Sequence, residues 1–358
     1  MKTKKKTILR LLIALVVVIG VVYASLPYYA RQALIHWMPV IDDLETFHRH
    51  TVHHNPDDVW HWPLSDDYNR YQLAEKDAHY LDSLRTVSFL VIRRDSIVFE
   101  NYRDGWNDTL TSNIYSATKT IVGLLAGIAL DEGKIHSLDD PVSRYIPVYT
   151  KGMQADVTLR HLLTMSGGMA WDEAYASLFS VTTHGYYGND LYDLVTGLEV
   201  VDHPGVQYSY RSGETQLLAF VIEAATGQTL SDYAEEKLWR PMQAERDAYW
   251  LLDKKDGDEK SLLLLSYHGS RCSPFRKPLV ASWQLARPPT GFRSLYGRTD
   301  ASRFVPERPV GKGFTQLLWF PDVGDGLSRY ALPLHAWYAG SIHYRYSRFG
   351  CHCRAAGP

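Results

Sequence analysis

The sequence predicts an α/β protein: an antiparallel sheet flanked by helices, with an all-α domain inserted into it. Two observations carry that expectation. The stretch VSFLVIRRDSIVFENY (87–102) holds two β-rich runs around a charged turn, the pattern of a hairpin. A long middle section then reads as helices and loops before the chain returns to mixed structure, and no internal repeat competes with this layout.

The elements follow in chain order. MKTKKK and the apolar run LLIALVVVIGVVYASL make residues 1–26 a signal anchor, about as long as a bilayer is thick, with its lysines on the cytoplasmic side. The expected location is the inner membrane, single-pass, with the folded part periplasmic. Val22-Tyr23-Ala24 also offers a cleavage site, which would make the protein secreted. Residues 27–80 read as a juxtamembrane linker and lead-in, in which HRHTVHH (48–54) is expected to be solvated. After the hairpin, YSATKTIVGLLAGIALDEGKI predicts a buried helix ending near Gly133. SLDDPVSRYIP carries the Asp-Pro punctuation of a loop. TLRHLLTMSGG predicts a short amphipathic helix closed by two glycines, and HPGVQYSYRSGETQLLAFVIEAATGQTLSDYAEEKLWRPM a Pro-Gly turn, a loop and two helices.

The chain has 358 residues, 45% of them hydrophobic, enough for a sizeable core. A formal net charge of −2, with no basic block beyond the N-terminus, argues against a nucleic-acid partner. Cys272, Cys351 and Cys353 form no disulfide framework or metal spacing, and no metal or nucleotide cofactor is expected.

Chemistry enters at YSATKT. A serine hydroxyl is a poor nucleophile until a base takes its proton. Residues three apart share a helix face, so Lys119 returns to Ser116. Near a helix start, the backbone N–H of Ser116 could also stabilise an oxyanion. Alone, the pair fits a capping serine and a surface lysine better than a catalytic pair. A tyrosine can relay a proton between nucleophile and leaving group, and PGVQYSYRSG offers both Tyr208 and Tyr210. Asp172 and Glu173 read as a solvated loop pair.

Taken in order, SATK (116–119), LDDPVSRYIP (138–147), VTLRHLLTMSGGMAWDE (157–173) and the stretch 204–242 resemble the serine β-lactamase-like superfamily. That group includes class C β-lactamases, penicillin-binding DD-peptidases, related esterases and 6-aminohexanoate-dimer hydrolases. The resemblance covers roughly residues 87–255 and implies the β-lactamase/transpeptidase-like fold. It also implies Ser116 as the acylated nucleophile, Lys119 as its proton partner and Tyr210 as general acid/base. Ser212 stands where many members have Asn, as a substrate-binding or supporting residue, which resembles the esterase and amidase branches more than true β-lactamases. The implied function is a serine hydrolase acting on an ester, amide or peptide. The alternative is a binding protein for peptidoglycan-like or peptide ligands that lacks turnover.

The resemblance stops near Lys260. Residues 81–260 are the expected hydrolase region and 261–358 an aberrant tail, with the last strands disrupted. Codons compatible with AWYAGSIHYRYSRFGCHCRAAGP, read one nucleotide later, can spell a Gly-rich entry, an extended run, a Pro-Asp turn and a β-branched strand. A frameshift shortly after Lys260 is therefore expected, and LHAWYAG (334–340) does not replace the family's last motif.

Overall fold

Twenty-four N-terminal residues form one helix, α1 (Lys2–Ser25). Its apolar residues are exposed, and it is long and apolar enough to cross a membrane or serve as a signal. The computed structural model describes residues 2–36, 39–93, 96–268 and 352–353. After α1 come α2 (Tyr28–His36), β1 (Arg49–Val52), α3 (Glu75–Ser83), and the hairpin β2 (Ser88–Arg93) and β3 (Ser96–Tyr102). β4 (Thr111–Asn113) precedes an unbroken helical section: α4 (Thr118–Asp131), α5 (Leu159–Leu163), α6 (Val181–Tyr187), α7 (Leu191–Gly197), α8 (Ser212–Thr226) and α9 (Leu230–Ala234). β5 (Ala248–Leu251), β6 (Leu265–His268) and the two-residue β7 (His352–Cys353) complete the order.

The main sheet runs β1-β5-β6-β4, antiparallel throughout. All the helices between β4 and β5 are the inserted all-α section. α4 and α8 form its centre because both are apolar on nearly every face, and such a helix is stable only when enclosed. Every residue from Ser212 to Ile222 is buried, as are Ile121, Val122, Leu124, Leu125, Ala126 and Ala129 of α4. Each fully enclosed Leu or Ile contributes roughly 1.5–3 kcal/mol.

Three expectations meet a different arrangement. Much of the stretch read as a linker is built into the fold: β1 lies in register with β5, from Arg49 opposite Leu251 to Val52 opposite Ala248. The histidines that made it look solvated have carboxylate partners, His50 with Glu259 at 2.9 Å and His54 with Asp247 at 2.5 Å. The hairpin forms, but in a second sheet ordered β3-β2-β7, because strand pairing depends on which edges meet and not on strand propensity alone. Finally, residues 261–267, assigned to the tail, are buried, and β6 joins β4 to β5. Among the tail expectations, those on Cys272, Cys351 and residues 334–340, and most of the frameshift, lie outside the described residues.

Candidate active site

Ser116 sits on a single turn of 3₁₀ helix, Tyr115–Ala117, immediately before α4. It is not the cap of that helix: the N-cap is Ala117, with no side-chain capping bond. Tyr115 holds φ at +46°, a conformation non-glycine residues seldom adopt, which turns the chain sharply into the serine. Neighbouring bonds fasten the turn to the main sheet. The Tyr115 N–H donates to Asn113 Oδ1 at 2.9 Å, and the Ile114 N–H donates to the Leu265 carbonyl at 2.9 Å.

Lys119, in the first turn of α4, is only 6% exposed. Its Nζ donates to Ser116 Oγ at 3.3 Å and to the Leu262 carbonyl at 2.5 Å. Tyr210 arrives from the loop before α8, and its hydroxyl donates to Ser116 Oγ at 2.8 Å. The Lys119 amine also lies 5.3 Å from the centre of the Tyr210 ring. Amine and phenol thus converge on one hydroxyl, the phenol coming from a loop 94 residues beyond the serine in sequence.

The rival tyrosine is placed as well. Tyr208 lies close enough to Tyr210 to feel its charge, and burial pushes its phenol up to about 12. Burial likewise pushes the Tyr115 and Tyr175 phenols well above the usual range, so both stay neutral. Ser212 is fully buried, and its hydroxyl donates to Glu173 Oε2 at 3.1 Å.

Two contributors escape a reading of the sequence. Leu262 lies in the supposed tail, yet its carbonyl receives Lys119. Gln216 of α8 holds that segment: its Nε2 donates to the Glu259 carbonyl at 2.8 Å, and its Oε1 accepts from the Leu262 N–H at 3.1 Å. The signal available beforehand was a polar side chain in the helix predicted to be enclosed, since buried polar groups are seldom without partners.

Gly167 and Gly168 lie beyond α5, whose C-cap is Thr164. The Gly167 N–H donates to Glu214 Oε2 at 3.1 Å, and burial pushes that carboxyl up to about 7. Gly168 has φ +79°, and a Cβ there would fall 2.1 Å from the Asp202 carbonyl oxygen, so only glycine fits.

The model of the family described as Beta-lactamase matches residues 73–294, more than half of the chain and beyond the point where the motifs fade. The 6-aminohexanoate-dimer hydrolase of Paenarthrobacter ureafaciens is 27% identical over 185 residues, which is 49% of this chain and 47% of that protein. A protein of Escherichia coli (strain K12), provisionally named D-alanyl-D-alanine carboxypeptidase, is 26% identical over 185 residues, 44% of this chain and 41% of its own. The chain thus spans less than half the length of these two curated relatives. Among solved structures, one provisionally named 6-aminohexanoate-dimer hydrolase, from Bacillus anthracis, superposes with a TM-score of 0.56 at 20% identity, over 69% of each chain. That likeness is one of fold.

Proposed function

The chain belongs to the beta-lactamase family, and from that premise we propose that it is a serine hydrolase that opens an ester or amide through an acyl-enzyme on Ser116. One observation supports this reading above the rest: Lys119 Nζ and Tyr210 OH both lie within hydrogen-bonding distance of Ser116 Oγ, at 3.3 and 2.8 Å. As drawn, both are donors. Loss of one proton from this cluster makes either the amine or the phenolate an acceptor for the Ser116 proton. Oγ then attacks the carbonyl carbon, and the leaving alcohol or amine departs with a proton returned through Tyr210. Water repeats the sequence in reverse roles to release the acid and free Ser116. Proton transfer by positioned groups of this kind contributes roughly 10²–10⁴-fold in rate.

The ester and amide branches are favoured over β-lactams because Ser212, standing where many family members have Asn, is buried with its hydroxyl donating to Glu173. The test is covalent labelling with a fluorophosphonate and with a fluorescent penicillin, followed by turnover on nitrophenyl esters, D-Ala-D-Ala peptides, 6-aminohexanoate dimer and nitrocefin. Labelling is expected in the wild type and absent in Ser116→Ala. Labelling that persists in the alanine variant removes Ser116 from the mechanism, and labelling without turnover of any substrate favours a binding protein.

A further inference from the structure

The loop from Trp171 to Ser180 contributes no residue that bonds to Ser116 or Lys119, yet it is pinned to the start of α8 at two adjacent points. The Trp171 ring presses on Gly213 so closely that a Cβ there would lie 2.4 Å from Trp171 Cε3. One residue earlier, Glu173 receives three donors. The Ser212 N–H donates to Oε1 at 2.5 Å, the Ser212 hydroxyl to Oε2 at 3.1 Å, and the Tyr175 hydroxyl to Oε2 as well. Ser212 opens α8, so a carboxylate at its N–H also meets the positive end of a 15-residue helix. Tyr210 stands only two residues before that anchor.

We infer that Glu173 is a positioning residue for the acylation reaction, its carboxylate clamping Ser212 and Tyr175 so that Tyr210 is held against Ser116. The inference rests on the hydrolase reading above, since it gives the clamp a reaction to serve. Tyr210 lies in a loop held on one side by the Ser209 N–H, which donates to the Met165 carbonyl at 2.8 Å, and on the other by the Arg211–Asp202 ion pair. The Glu173 contacts at Ser212 add a further hold beside it, and small displacements of a proton-transfer group lower rates steeply. The substitution of Ser for the Asn found in many relatives fits the same device. A serine is short enough to turn inward, and both its donors go to one carboxylate. The charged and titratable groups around this clamp are Asp172 and Tyr175 on the same loop, Tyr208, Tyr210 and Arg211 before α8, the last paired with Asp202 and facing Glu214, and Lys119 across the Tyr210 ring.

The experiment compares the full chain with Glu173→Gln, Glu173→Asp and Ser116→Ala, reading the fluorophosphonate labelling rate across pH and the kcat and KM of a nitrophenyl ester. Glu173→Gln keeps the shape and removes the charge, so kcat is expected to fall roughly tenfold with KM little changed. Its pH profile should also move to lower pH, because losing a nearby negative charge eases deprotonation of the Lys119–Tyr210–Ser116 cluster. Glu173→Asp should recover part of the loss. Hydrogen exchange over 208–214, slow in the wild type and faster in Glu173→Gln, reports the clamp independently of turnover. Should Glu173→Gln match wild type in kcat, pH profile and exchange while Ser116→Ala is dead, the positioning role is overturned and the hydrolase stands. Undiminished labelling in Ser116→Ala overturns the hydrolase reading and this one with it.

Discussion

Lys119 and Lys260 each carry an amine into the same enclosed interior, and their surroundings differ in kind. Lys119 faces a hydroxyl and a phenol, with one carbonyl behind it. Lys260 donates to the carbonyls of Gly185 and Gly188, each at 3.0 Å, above the face of Phe47. Asp253, Asp190 and Asp258 favour its charge, but burial outweighs them and lowers the amine to about 8. An amine lowered that far is more readily found neutral near pH 8 than an ordinary lysine. Lys260 has no proton to collect, because carbonyls give none. On the proposed mechanism, the contrast is that a buried lysine takes part through the hydroxyl it meets, whereas one that meets only carbonyls is a tether.

The comparison can be broken most decisively at Lys119. In Lys119→Met the fluorophosphonate labelling rate should drop roughly 10²–10⁴-fold with the fold intact by circular dichroism. Tyr210→Phe should give a smaller loss, roughly 10²-fold in kcat, since the amine remains beside Ser116; stopped-flow acylation separates the two. Lys260→Met should leave labelling near wild type and instead lower stability by roughly 1–3 kcal/mol in urea titration, because the Gly185 and Gly188 carbonyls lose their donor. The pH dependence sharpens the same point. A group whose folded pKa is depressed from 10.5 to about 8 is proton-poor in the native state between those values, so stability rises with pH across that window. That rise should be missing from Lys260→Met, and a collapse of labelling in that variant would erase the distinction drawn here.

Local patterns reached far into this molecule. The hairpin, α4 and the α8–α9 pair follow from runs whose periodicity and punctuation are self-contained, and Ser116 with Lys119 follows from spacing on one turn. Patterns of this kind did not reach β1, whose His and Asp neighbours look like solvated linker until Glu259 and Asp247 close over them from some 190 to 210 residues away. Nor did they reach Glu173. An acidic pair in a loop carries no mark of its partners, and Ser212 lies 39 residues further along the chain. Leu262 was obscured because a backbone carbonyl has no sequence signature at all.

Residue order alone therefore pointed to the groups proposed for acyl-transfer chemistry and to the helices that are enclosed, since both depend on neighbours within a few turns. Which tyrosine meets the serine, which carbonyl steadies the amine and which carboxylate holds the opening of α8 were decided only when distant segments packed together. The physical reason is range: helical spacing and apolar periodicity act over a few residues, whereas a proton moves between atoms about 3 Å apart, however far apart they stand in the chain.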